Sequence, residues 1–143
     1  MNALIHFARV AARECATITG QIVYMIAVVD DSDSLRKALI LQLQLFGYVT
    51  RGFASGEAFL QTWPSNGARC LILDLELPGV SGVEVQRALN HMQAGIPVII
   101  ITANDSWDVR EECLRLGAVD FLSKPIAMRR LLDAVAGALR RDL

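Results

Sequence analysis

From Met25 onward, short runs of β-branched and other apolar residues alternate with longer stretches in which apolar residues recur every three or four positions. The short runs predict strands at Met25–Val29, Val49–Phe53, Cys70–Leu73, Val98–Thr102 and Val119–Leu122. Several are apolar throughout, as expected for strands covered on both faces of a parallel sheet. The longer stretches predict helices beginning near Ser34, Gly56, Gly82, Ser106 and Ala127, with Ser, Asn or Asp available as caps. Five strand–helix pairs in succession predict an α/β fold, a doubly wound five-stranded parallel sheet with helices on both faces.

Two helices show the patterning well. In the first, Leu35, Leu39, Gln42 and Phe46 are expected on one face, with Arg36, Lys37 and Gln44 pointing away and Gly47 ending the helix. In the last, Leu131, Val135 and Ala138 are expected inward, and Arg129, Asp133 and Arg140 outward. Residues 1–24 carry Arg9 and Arg13 but no continuous apolar stretch ending in a small-residue cleavage site, so they do not read as a secretory signal. They are taken as an N-terminal extension without an assigned role, ahead of a single domain at 25–143. No internal repeat or low-complexity tract is present.

A chain of 143 residues with 53% hydrophobic and 20% charged content can bury the core of one ordinary domain. Its formal net charge of -1 supplies no basic footprint, which argues against direct nucleic acid binding. No apolar run is long enough to span a bilayer, so no membrane partner is expected. Cys15, Cys70 and Cys113 are odd in number and lack C-x-x-C spacing, which fits a reducing, cytoplasmic setting with Cys70 and Cys113 as small buried apolar residues. His6 and His91 are expected at the surface.

In an open parallel sheet, ligands bind beyond the carboxyl ends of the strands. Four of the predicted strand ends carry polar groups: Asp30 and Asp31, Asp74, Thr102, and Lys124 followed by Pro125. Three converging carboxylates repel one another unless a cation offsets the charge. Mg2+ suits them, because it takes oxygen ligands, retains water and bridges to phosphate oxygens. Lys124 adds a mobile positive charge and Thr102 a hydroxyl donor, completing a set suited to a phosphoryl group. Asp74 closes the central apolar strand, where its carboxylate can attack phosphorus and form an acyl phosphate. Taken singly, the Asp pair reads as a cap and solvated turn beside Ser32 and Ser34, Thr102 as an ordinary strand residue and Phe121 as core. Their joint placement at matching strand ends favours the site.

Four linked motifs carry a family resemblance: Val28-Val29-Asp30-Asp31, LILDLELPGVSG from Leu71 to Gly82, Ile101-Thr102-Ala103, and DFLSKP from Asp120 to Pro125. In order, spacing and strand context, the chain from Met25 to about Arg140 resembles the response-regulator receiver family, a CheY-like group of two-component signalling proteins. The resemblance implies strand order 2-1-3-4-5 in a flavodoxin-like wrap. It implies that Asp74 is the phosphoacceptor, that Asp31 is an acidic Mg2+ ligand with Asp30 acting beside it through water, and that the Glu76 backbone carbonyl completes the protein's share of the metal shell. Thr102 and Phe121 match the switch pair, in which the hydroxyl moves toward the phosphoryl group and the ring swings inward behind it. Lys124 matches the phosphoryl-binding lysine, and a cis bond to Pro125 is expected. Phe121 stands where many members have tyrosine, and Glu76 and Asn104 occupy positions that tune phosphoryl lifetime.

Function follows as an expectation: a phosphorelay module, not a turnover enzyme, that receives a phosphoryl group from a histidine kinase or histidine phosphotransfer protein. Phosphorylation would switch the face made by helix four, strand five and helix five for homodimerisation or binding of a downstream protein. Trp107, with Arg110 and Leu114, is a candidate anchor on that face, with partial burial as the alternative. Beside it stand flavin binding, which this fold also admits, and two further rival readings. One is a phosphorylation-independent receiver-like binding module, which the intact Asp31, Asp74 and Lys124 argue against. The other is an aspartate-nucleophile phosphatase of the haloacid dehalogenase type, loosely mimicked by Asp74-Leu75-Glu76, although that motif belongs on an early strand and wants Asp in place of Glu.

Overall fold

Alternation along each strand decides how the layers pack. The computed structural model describes residues 24–140 and two short segments, Thr17–Ile18 and Gln21–Ile22, that pair antiparallel. The rest of the extension, with His6 and Cys15, lies outside the described residues. Strands β1 (Met25–Val29), β2 (Val49–Phe53), β3 (Cys70–Asp74), β4 (Val98–Thr102) and β5 (Asp120–Ser123) form one parallel sheet in the order β2-β1-β3-β4-β5. Between and after them run α1 (Asp33–Leu45), α2 (Gly56–Thr62), α3 (Gly82–His91), α4 (Trp107–Arg115) and α5 (Met128–Arg140). This is the α/β, flavodoxin-like fold that the alternation and the resemblance predicted.

Because successive side chains on a strand face opposite ways, each central strand feeds two cores. Ala27, Val29, Leu71, Leu73, Ile100 and Phe121 pack with Phe59 of α2, Val85 and Leu89 of α3 and Cys113 of α4. Ile26, Val28, Cys70, Ile72, Ile99, Ile101 and Leu122 pack with Leu39 and Leu43 of α1 and with Leu131, Val135 and Ala138 of α5. Each fully buried Leu or Ile contributes roughly 1.5–3 kcal/mol by leaving water, and β3 and β4 are buried along their whole length. That double burial explains why these strands read as unbroken apolar runs.

Predicted boundaries move by a residue or so. β3 takes in Asp74, and β5 starts at Asp120 in place of Val119. Helix α1 starts at Asp33, after Ser32, whose side chain accepts from the Leu35 N–H. One face needs correction. Leu39 and Leu43 are the buried residues of α1, whereas Gln42 is exposed and Phe46 is 61% exposed. Phe46 is the C-cap, and only Gly47 and Tyr48 separate it from β2, whose first residue pairs with the first residue of β1. At the C-terminal end of the helix, the ring is left largely uncovered by the described residues. Arg36, expected to point away, folds back so that Nη1 donates to the Asp30 carbonyl at 2.7 Å and Nη2 pairs with Asp33. In α5 the predicted faces match: Leu131, Val135 and Ala138 are buried, and Arg129, Asp133 and Arg140 exposed. His91 is exposed, and among the described residues no helix is long and apolar enough to cross a membrane.

Candidate functional site

Register brings the polar strand ends together. Val29 lies level with Leu73, Asp74 with Ile101, and Thr102 with Ser123, so β1, β3, β4 and β5 finish along one edge of the sheet. Asp30 follows β1, Asp74 ends β3, Thr102 ends β4 and Lys124 follows β5. The Lys124 N–H donates to the Thr102 carbonyl at 2.8 Å, which prolongs the ladder and fixes where the lysine departs. The Lys124–Pro125 peptide is cis. At the start of α3, a Cβ on Gly82 would come within 2.6 Å of the Asp74 carbonyl oxygen and 2.7 Å of the Leu75 Cα. Absence of a side chain there lets the helix begin directly against the end of β3.

Asp30, Asp74 and Thr102 are 0%, 2% and 0% exposed, a buried polar cluster at the edge of an apolar core. Lys124 Nζ lies 3.2 Å from Asp30 Oδ2 and 3.2 Å from Asp74 Oδ2, bridging the two carboxylates. The other oxygens are bonded locally: Asp30 Oδ1 accepts from the Ser32 N–H at 2.9 Å, and Asp74 Oδ1 accepts from the Glu76 N–H at 3.1 Å. Asp30 thus serves the turn into α1 and the charged cluster together. Asp31 is exposed at the mouth. Thr102 Oγ1 accepts from the Asn104 N–H at 3.0 Å.

Burial pushes the Asp74 carboxyl above the ordinary carboxylate range; the Glu76 N–H opposes this, the neighbouring Asp30 charge reinforces it, and Lys124 pulls back. At Lys124, burial opposes the charge, but its two carboxylate partners together hold the ammonium above its usual range. Burial prevails at the acid because it is enclosed, and pairing prevails at the base because the lysine reaches solvent while touching two acids.

Asp30, Asp31 and Asp74 each offer a carboxylate oxygen, and these oxygens lie within 4.8 Å of one another. An all-oxygen set with one exposed member leaves room for water, which suits the hard, incompletely dehydrated Mg2+ ion. Glu76 points its side chain to solvent, leaving its backbone as the part nearest the site.

Phe121 is 4% exposed and sits in the core, with the Arg110 guanidinium 5.0 Å from its ring centre. Arg130 of α5 makes a bidentate pair with Asp120, the residue before Phe121, at 2.9 and 2.6 Å. Trp107 is 70% exposed and Leu114 47%, so the alternative of a partly buried Trp107 gives way to an exposed one. Sequence reasoning missed two residues that touch the site's framework. Arg36, six residues past Asp30, holds the Asp30 carbonyl, a spacing that the first turn of a helix makes reachable. Glu57 reaches the loop after Asp74 across 23 residues of chain, for which no local signal exists.

Comparison with known proteins agrees with this geometry. Residues 26–136 match the response regulator receiver domain family, and the chain belongs to that family, the signalling domains of two-component response regulators. It is 37% identical over 118 residues to Nodulation protein W of Bradyrhizobium diazoefficiens, covering 82% of this chain and 52% of that protein. With the transcriptional regulatory protein FixJ of Rhizobium meliloti it shares 35% identity over 115 residues, covering 80% of this chain and 56% of that one. The chain thus spans about half the length of the curated relatives it matches. The crystal structure of FixJ-N superposes with a TM-score of 0.75 at 34% identity, covering 82% of this chain and 94% of the other.

Proposed function

We propose that this chain accepts a phosphoryl group on Asp74 from a histidine kinase or a histidine phosphotransfer protein and signals through a change of protein contacts. The observation that carries the reading is the Lys124 ammonium held 3.2 Å from both buried carboxylates, beside a third, at the strand-end edge of a receiver fold. In the transfer, an Asp74 carboxylate oxygen attacks phosphorus, the phosphorus–nitrogen bond of the donor histidine breaks, and the imidazole nitrogen keeps the electron pair and takes a proton from water. Mg2+, held by Asp30, Asp31, Asp74 and the Glu76 backbone carbonyl, would neutralise phosphoryl oxygens during this in-line displacement. Lys124 exchanges its bond to Asp74 for one to a phosphoryl oxygen, so that its charge follows the transferred group.

Output starts at Thr102. Its hydroxyl leaves the Asn104 N–H and turns to donate to a phosphoryl oxygen, shifting the loop that leads into α4. Phe121 holds the inward position behind it under Arg110, so the displacement passes to α4 and to the α4–β5–α5 face. Exposed Trp107 and Leu114 on that face suit a homodimer or a downstream protein target. The receiver unit is taken as residues 25–143, acting in the cytoplasm, with 1–24 as an extension of unassigned role.

Intact mass after incubation with acetyl phosphate tests the reading. Wild type should gain a single phosphoryl adduct that requires Mg2+, and Asp74→Ala should gain none. An adduct that survives in Asp74→Ala would place the nucleophile elsewhere, and a folded wild type that stays unmodified would favour a phosphorylation-independent binding module.

A further inference from the structure

The loop between Asp74 and α3 carries the Glu76 carbonyl, and the Glu76 N–H donates to Asp74 Oδ1 at 3.1 Å. Its base is closed: Leu75 donates to the Ile101 carbonyl at 3.2 Å, and the Leu75 carbonyl accepts from both Leu77 N–H at 3.1 Å and Gly82 N–H at 3.0 Å. Leu75 and Leu77 are each 8% exposed and anchor it to the core. The far side, Pro78–Gly79–Val80, turns at Gly79 with φ of +74°. There the Glu57 carboxylate arrives from α2, and Oε1 accepts from the Val80 N–H at 2.6 Å. The carboxylate fits so closely over the turn that a Cβ on Gly79 would lie 3.0 and 3.3 Å from its two oxygens.

We infer that Glu57 is a positioning residue for the metal site: by gripping the Val80 N–H it fixes the tip of the loop and thereby the orientation of the Glu76 carbonyl. This rests on the phosphoryl-acceptor reading above and adds to it a residue from α2. The geometry is that of a strut. Ser55 caps α2 by accepting from the Ala58 N–H at 3.1 Å, which sets the first turn and aims Glu57. Gly56 allows α2 to press on the same loop, since a Cβ there would meet Val85 at 2.6 Å and the Val80 carbonyl at 3.2 Å. Closed at its base by the bonds to the Leu75 carbonyl and held at its tip by Glu57, the loop restrains the Glu76–Leu77 peptide from both sides. Loss of the tip bond would leave the Glu76–Leu77 peptide restrained from the base side alone, through the Leu77 N–H, and groups that orient metal ligands typically change affinity about 10–100-fold when removed.

The role belongs to an acceptor oxygen at a fixed reach, not to the negative charge. Glu57→Gln keeps an acceptor at the same distance, Glu57→Asp keeps the charge one methylene short, and Glu57→Ala removes both. Mg2+ affinity by calorimetry is measured alongside the Val80 amide proton shift by NMR, with no phosphate donor present. Expected is near-wild-type affinity and a wild-type Val80 shift in Glu57→Gln, with affinity about tenfold weaker and the Val80 shift altered in Glu57→Asp and Glu57→Ala. Should Glu57→Ala fail to fold, the Gln and Asp variants carry the comparison. Wild-type Mg2+ affinity in Glu57→Asp with an altered Val80 shift would overturn the strut, as would Glu57→Gln as weak as Glu57→Asp. A wild type that binds no Mg2+ would overturn the metal site of the proposed function and the strut together, whereas the other failures leave that function standing.

Discussion

Asp74 is held where charge is costly, and the cost follows from what surrounds it. Burial dominates, the Asp30 charge adds to it, and Lys124 offsets only part. With its folded value above the ordinary 3.8, Asp74 binds its proton more tightly in the folded chain than in the unfolded one. Its favourable contribution is therefore present below that ordinary value and is lost as pH rises through the folded value. At neutral pH and in the presence of EDTA, Asp74→Asn is expected to stabilise the fold, by roughly 0.5–2 kcal/mol, the range seen when a functional compromise is removed. In urea melts the gap should narrow as pH falls through the raised folded value of Asp74, where wild type gains its proton, and added Mg2+ should narrow it at neutral pH. Equal stability of the two proteins at every pH would show that Lys124 compensates the burial fully. Every residue of this cluster was legible in the sequence because strand ends in a parallel sheet share one edge. Arg36 and Glu57 were not, because their bonds go to backbone atoms that carry no side-chain signature.

Among the elements, α1 shows most plainly how far a pattern can be read. Steps of three and four residues from Leu35 fit either Gln42 and Phe46 or Leu43, since a hundred degrees per residue places all of them within one broad face. Contact with the sheet selects Leu39 and Leu43, and leaves Leu41, Leu45 and Phe46 outside at 58%, 72% and 61% exposure. Leu43→Ala is accordingly expected to cost about 2–5 kcal/mol, as for deletion of a fully buried leucine, whereas Leu45→Gln should change stability by about 0.5 kcal/mol or less. Urea denaturation with unchanged m-values checks both, and a large loss for Leu45→Gln would mean that this face is covered in solution. At α3 local chemistry sufficed. Ser81 and Glu84 form a reciprocal capping box, and the sequence placed the helix start at Gly82.

For the molecule as a whole, the two-sided core makes some groups reachable only when the fold opens. Cys70 and Cys113 are both fully buried, on opposite faces of the sheet. Burial pushes the Cys70 thiol up to about 12. Burial and the Glu112 charge push Cys113 up to about 11. Thiolate is the reactive form, so both thiols are doubly protected at neutral pH. In a Cys15→Ser background, neither should react with a disulfide reagent on the time scale of exposed thiols, and both should react at once in denaturant. The native rate should follow global opening and fall when the fold is stabilised, for example in Asp74→Asn. Fast native labelling of one of them would reveal local opening of its face of the sheet.

The sequence by itself determined the five strand–helix repeats, the order in which polar groups leave the strands, and the family. These are local or periodic properties: hydrophobic alternation, caps, and motifs carried on contiguous residues. Tertiary structure alone decided which of the possible faces of α1 is buried, that Arg36 turns back to hold Asp30, that Arg110 lies over the Phe121 ring, and that Glu57 braces the loop beyond Asp74. Each of these depends on where a different element comes to rest. A side chain that can satisfy several partners equally well along the chain is assigned one of them only by packing.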